Sequence, residues 1–137
     1  MTTQEGGCMC GNVRYSVEGE PVMKALCHCA DCRKITGSTY STNGIYKEDG
    51  FKVLSGKTKT YAKAADGGNT ITSHFCPDCG STMWREGKTF EGLKIVGTLD
   101  DPKALEGLKP SVELYAPTRP QWVSAVSDAQ QVDGMPS

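Results

Sequence analysis

Cys27-His28-Cys29-Ala30-Asp31-Cys32 is the stretch on which the reading of this chain turns, because two further cysteine clusters flank it, Cys8-Met9-Cys10 upstream and Cys76-Pro77-Asp78-Cys79 downstream. The chain's 7 cysteines all fall in these clusters. They divide into one four-thiolate centre and one three-thiolate centre. Zinc closed by four protein ligands is structural, whereas three protein ligands leave a position for water or substrate. The arithmetic predicts two zinc ions per chain with different tasks.

The competing reading is a disulfide framework, as in many small cysteine-rich secreted domains. An odd number of cysteines leaves one unpaired, and C-x-C and C-x-x-C are spacings of metal chelation. Met1 to Gly7 has neither the basic region nor the apolar core of a signal peptide. Reduced thiols and a cytoplasmic location are therefore expected, with redox dithiol chemistry as the main rival to zinc.

The chain has 137 residues, 37% of them hydrophobic, which fits one domain with a modest core. Net charge is -1 and the longest basic cluster is Arg33-Lys34, so the polybasic stripe of a nucleic-acid partner is missing. No apolar run approaches the ~20 residues of a membrane span, and mean hydropathy is negative. A membrane partner is not expected either.

With 16 glycines punctuating short stretches and no long segment of helical periodicity, the pattern predicts a mainly β fold of small antiparallel sheets. Val13–Val17 alternates apolar and polar residues, and Gly19-Glu20-Pro21 turns the chain into a strand ending at Cys27. Further strands are expected over 38–45, 51–54, 59–64, 70–75, 82–85, 93–97 and 112–115. Asp31 to Thr36 reads as one helical turn ended by Gly37. Asp101-Pro102 reads as a second helix start, an acidic cap followed by a first-turn proline. A domain over 1–123 and a loose polar tail over 124–137 complete the plan.

Cys8 and Cys10 can reach one ion from the same face of a strand if their segment is extended. Cys76 and Cys79 suit a tight knuckle. Spacing does not pair the clusters. One default joins Cys29 and Cys32 to Cys76 and Cys79 as a zinc ribbon, leaving Cys8, Cys10 and Cys27 elsewhere.

The strings Gly7-Cys8-Met9-Cys10-Gly11-Asn12-Val13-Arg14-Tyr15, Cys27 to Lys34 and Phe75-Cys76-Pro77-Asp78-Cys79-Gly80-Ser81 resemble the glutathione-dependent formaldehyde-activating enzyme family, GFA, which includes the CENP-V proteins. The resemblance runs from about Gly6 to Trp122 with all seven cysteines in register. The chain departs from many relatives in reading Pro110 to Tyr115 where they carry a histidine. The resemblance implies a zinc-binding β-tent fold. It implies a structural zinc on Cys8, Cys10, Cys76 and Cys79, and a catalytic zinc on Cys27, Cys29 and Cys32.

Zinc with three thiolates carries a formal charge of -1, which makes it a weak acidifier of water and a soft acceptor of substrate sulfur. A metal-bound thiolate stays deprotonated at neutral pH. The chemistry expected is a carbon-sulfur lyase reaction on a thiol adduct of a small electrophile, with glutathione the first candidate thiol. A non-catalytic binding module and a zinc hydrolase or isomerase are the alternatives. Arg33 is expected to hold a substrate carboxylate or offset the site's charge, and Lys34 shares that possibility with plain surface solvation. His28, between two ligands, is expected to face away from the metal, and His74 to be a satisfied strand residue. Phe51, Tyr61, Trp84 and Trp122 read as core. Glu113 and Asp31 read as solvated carboxylates before they read as proton acceptors. No Ser/His/Asp arrangement or dinucleotide fingerprint appears.

Overall fold

A computed structural model of the chain describes residues 2–135. In order, the elements are β1 (Thr3–Gly7), β2 (Arg14–Glu18), β3 (Met23–Cys27), α1 (Ala30–Thr36), β4 (Ser41–Lys47), β5 (Phe51–Ser55), β6 (Lys59–Ala64), β7 (Thr70–Phe75), β8 (Thr82–Gly87), β9 (Leu93–Val96), α2 (Pro102–Glu106), β10 (Val112–Leu114) and β11 (Gln130–Gln131). The fold is mainly β. The strands form a three-stranded sheet of order β1-β2-β5 and an eight-stranded sheet of order β11-β10-β3-β4-β9-β8-β7-β6. No helix of the described residues is long and apolar enough to cross a membrane.

Both expected helices form, each for the local reason its sequence contains. The Cys29 sulfur caps α1 by accepting from Cys32 N, and Gly37 closes it at φ 65. The Asp101 carboxylate caps α2, with Pro102 in its first turn. Pairing is antiparallel except at β10, which runs parallel to both β3 and β11. Parallel neighbours need long connections, and the chain supplies one of almost the whole domain between β3 and β10.

β1 carries no apolar alternation and is held by backbone pairing with β2, from Thr3 opposite Glu18 to Gly7 opposite Arg14. Gly6 is dictated by packing, because a Cβ there would lie 2.7 Å from the Tyr15 ring. Tyr15, wholly buried, stacks on Phe51 at 5.7 Å and meets the edge of Trp84 at 5.7 Å. Its hydroxyl donates to Thr98 O at 2.6 Å. With Val13, Val17 and Val96 these rings join the two sheets. Fully burying one such side chain stabilises by about 1.5–3 kcal/mol.

The other face of the large sheet is set by register. Ile45 pairs with Ile95, Ile95 with Arg85, Arg85 with Ser73, and Ser73 with Tyr61, so one row of side chains crosses five strands from β4 to β6. Strand periodicity puts Asn43 and Ile71, two residues from members of that row, on the same face. α1 and the end of β10 border the same cavity as this face.

Part of the tail expected over 124–137 pairs with the large sheet. Gln130 and Gln131 pair with Val112 and Glu113, and Val132 N donates to Glu113 O. The Gln131 side chain finds a buried partner in Glu113 on β10, which composition does not reveal. Pro136 and Ser137, assigned to the same tail, lie outside the described residues.

Candidate metal centres and active site

The sulfur atoms of Cys8, Cys10, Cys76 and Cys79 lie within 4.8 Å of one another, and so do those of Cys27, Cys29 and Cys32. This is the grouping that the resemblance implies, and it replaces the zinc-ribbon default. All seven thiols are free of disulfides.

The four-cysteine group sits where two turns meet beside the junction of the sheets. Cys8 to Gly11 is a turn closed by Gly11 N donating to Cys8 O at 3.1 Å, rather than the extended segment that would put Cys8 and Cys10 on one strand face. Cys76 to Gly80 is a second turn, closed by Gly80 N and Cys76 O at 2.9 Å. Val13 N donates to Cys8 Sγ at 3.3 Å and Asp78 N to Cys76 Sγ at 3.4 Å. Hydrogen bonds from the Ser81 hydroxyl and backbone N–H hold the Cys79 thiol down at about 5. The turns are tied by Asn12 Nδ2 to Asp78 Oδ2 at 2.8 Å and Met9 N to Ser81 Oγ at 3.1 Å.

Sulfurs bound to zinc at about 2.3 Å in a tetrahedron stand about 3.8 Å apart. Cys8 and Cys10 sulfurs are 3.6 Å apart, and those of Cys10 and Cys76 3.7 Å. The donor set therefore fits such an ion in both chemistry and spacing.

The three-cysteine group forms where β3 runs into α1. Cys27 ends the strand, Cys29 caps the helix, and Cys32 lies in its first turn with its N–H 3.3 Å from Cys29 Sγ. Three thiols sharing so small a space part company in proton affinity. Hydrogen bonds from Cys27 and then Cys29, helped by the charge of Arg85, pull the Cys32 thiol down to about 2. Hydrogen bonding to Cys29 and Cys32 pushes the Cys27 thiol up. A metal ion held there would take the place of those shared protons.

The guanidinium beside this group belongs to Arg85 on β8. Its Nη1 is 3.5 Å from Cys32 Sγ, and its Nη2 donates to Asn43 Oδ1 at 2.8 Å. Asn43 is itself oriented by donating to Ala25 O, Ser41 O and Ser41 Oγ. Arg33 is exposed and outside the cavity lining, since α1 turns the residue after Cys32 toward solvent. The structure does not bring Arg33 to the three cysteines, where Arg85 stands instead. Lys34, one residue on, does line the cavity.

That cavity has a volume of about 560 Å³ and is bounded by the three cysteines, Arg85 and the row of side chains on the large sheet. Asp31 lines it too, paired with Lys63 at 2.9 Å. Tyr115 lines it with the backbone at φ 55, a left-handed conformation that a bulky residue rarely adopts. It packs against the group containing Cys27 and Cys32. Its hydroxyl has no hydrogen bond to protein among the described residues, and burial, reinforced by nearby negative charge, pushes its proton affinity up.

His28 is wholly buried and its Nε2 donates to Glu113 Oε1 at 2.7 Å; Nδ1 has no partner among the described residues. Glu113 is not a solvated carboxylate. It has no exposed surface, and its Oε2 accepts from Val126 N at 2.7 Å and Gln131 Nε2 at 2.8 Å. Burial pushes its carboxyl up, but hydrogen bonds from Gln131, His28 and Val126 N, with the charge of Arg119, outweigh that and hold it below the usual carboxylate range.

His74 is a satisfied strand residue, bonded to Thr58 Oγ1 and Glu86 Oε1 and stacked on Trp84 at 4.7 Å. Trp84 and Phe51 are core residues as expected, whereas Tyr61 and Trp122 are exposed, Tyr61 at the cavity and Trp122 on a loop. Arg85, Asn43 and Tyr115 escaped the sequence reading. Each stands in or beside an expected strand, and only cross-strand register brings it to the cysteines.

Among solved structures, that of a Rhodobacter sphaeroides protein superposes with a TM-score of 0.57 at 19% identity, covering 74% of this chain and 94% of that one, a likeness that shows the fold alone. No curated protein sequence matches the chain significantly. The profile of the family described as glutathione-dependent formaldehyde-activating enzyme matches residues 3–118, most of the chain and both cysteine groups. Sequence profile and cysteine geometry agree, and the chain belongs to the glutathione-dependent formaldehyde-activating enzyme family.

Proposed function

We propose that the protein is a zinc-dependent carbon-sulfur lyase acting on a thiol adduct of a small electrophile, with glutathione as a candidate thiol. The carrying observation is that three sulfurs gather at the wall of a cavity while the other four close on themselves elsewhere. Zinc bound by Cys27, Cys29 and Cys32 would supply a soft Lewis acid that keeps a substrate thiol deprotonated. In the adding direction the thiol sulfur forms a bond to a carbonyl carbon, the carbonyl π pair moves to oxygen, and the thiol's proton ends on that oxygen. The lyase direction reverses each movement.

The chain's own residues divide the remaining work. Arg85, held by Asn43, sets a fixed positive charge beside Cys32, where a further anionic sulfur would otherwise add to the charge of three thiolates. The Tyr115 phenol offers a neutral O–H for the carbonyl oxygen as charge develops there. His28, oriented by Glu113, fixes the backbone between Cys27 and Cys29 from behind. Cys8, Cys10, Cys76 and Cys79 would hold a second, structural zinc.

Cobalt replacement tests the reading. Adding glutathione or 2-mercaptoethanol is expected to intensify and shift the sulfur-to-metal charge-transfer bands, and the change should vanish in Cys29→Ser. Spectra indifferent to thiols alongside turnover of a sulfur-free substrate would move the assignment to a hydrolase or isomerase. Indifference without turnover would leave a binding module.

A further inference from the structure

A formaldehyde unit has two heavy atoms and needs roughly twice the ~30 Å³ that a water occupies in the liquid. The cavity beside Cys27, Cys29 and Cys32 measures about 560 Å³. Part of its wall is apolar. Ile45 and Ile95 face each other across β4 and β9, Phe90 packs with them, and Ile71 extends the same surface toward β6.

The thiol carrier does not account for this wall. Glutathione is a polar tripeptide with two carboxylates, and each would need a donor. The cations lining the cavity are Arg85, Lys34 and Lys63. Arg85 is bonded to Asn43 and lies on Cys32, so it serves the sulfur site. Lys34 and Lys63 are exposed, on α1 and the edge strand β6. Cations therefore stand at the sulfur position and on exposed elements, and Ile45, Ile71, Phe90 and Ile95 supply apolar lining that no cation serves.

We propose that the cavity takes the thiol adduct of an apolar electrophile of phenyl or branched-alkyl size, an aldehyde in the simplest case. The sulfur lies at Cys27, Cys29 and Cys32, the apolar part against Ile45, Ile71, Phe90 and Ile95, and the polar arms of the carrier run out past Lys34 and Lys63. This rests on the reading of the three-cysteine group as a zinc site that accepts substrate sulfur.

Calorimetric titration of the zinc-loaded chain with ethanethiol, butanethiol, 2-phenylethanethiol and glutathione tests it. Each enclosed methylene is expected to tighten binding about fourfold, so 2-phenylethanethiol should exceed ethanethiol by tenfold or more. Ser73→Phe, which adds a ring to the cavity on the strand beside Arg85, should abolish that gain while the zinc content of the chain stays unchanged. Ile71→Asn, at a half-buried position, should reduce it as well, and serves if the first variant does not fold. Thiols that all bind equally, or a gain that survives both variants, would overturn the apolar occupant and leave the sulfur site standing. Failure of every thiol to bind would overturn the sulfur site and this inference with it.

Discussion

Arg85 is the side chain that would set the charge balance of a metal held by Cys27, Cys29 and Cys32. Zinc with three thiolates has a formal charge of -1, and a fourth anionic sulfur would make it -2 without a neighbouring cation. Arg85 is bonded on one side to Asn43 and faces Cys32 on the other, so its charge is fixed in place. Replacing Arg85 with Met should leave zinc content unchanged, weaken thiol binding roughly tenfold, and move the pH at which a thiol binds upward, because the bound sulfur loses a charge that favours its anion. Arg85→Lys should recover part of the effect, keeping the charge but not the two-sided geometry. Arg33→Ala should change neither quantity. Calorimetry over a pH series reads all three variants.

At the scale of elements, β10 links β3 to the C-terminal segment. It lies between β3, which ends at Cys27, and β11, and Glu113 at its centre bonds His28 on one side and Gln131 and Val126 N on the other. Glu113→Gln removes a buried charge from partners that stay behind, which costs about 3 kcal/mol. For a domain of this size that is a fall of roughly 10 °C in Tm. The native proton affinity of Glu113 is depressed below the ordinary 4.5, so its contribution is complete above that value and is lost as pH falls through the native one. The gap between wild-type and variant melting temperatures should therefore be constant from neutral pH down to about 5 and close in stronger acid. A gap that widened in acid would mean the group is not ionised in the native state.

At the scale of the molecule, the two cysteine groups differ in what they join. Cys8, Cys10, Cys76 and Cys79 bring together the turn between β1 and β2 and the turn between β7 and β8, one from each sheet. Cys27, Cys29 and Cys32 span a single strand-to-helix corner. Metal affinity at the first group would therefore also be folding energy. Elemental analysis should find two zinc ions per chain, and graded chelation should release the one on Cys27, Cys29 and Cys32 first. Cys76→Ser should unfold or aggregate the chain, whereas Cys29→Ser should keep a cooperative melt and lose thiol binding. The reverse order would exchange the tasks of the two groups.

Short-range chemistry was legible in the residues themselves. Glycine-bounded stretches, alternating at Val13–Val17, marked most strands, Asp31 to Gly37 and Asp101-Pro102 marked both helices, and the count of cysteines marked two groups able to hold a metal, because caps, turns and chelate spacings act over a few residues. What came from folding is everything that depends on register. The meeting of Cys8 with Cys76, the placing of Arg85 rather than Arg33 beside Cys32, the burial of Glu113 under residues 126 and 131, and the pairing of β1 and β11 all join positions far apart in the chain. A one-residue slip would turn Arg85 to the other face of its sheet. Which slip is avoided is decided by packing of Tyr15, Phe51 and Trp84 between the sheets, a contact energy that no local stretch of sequence contains.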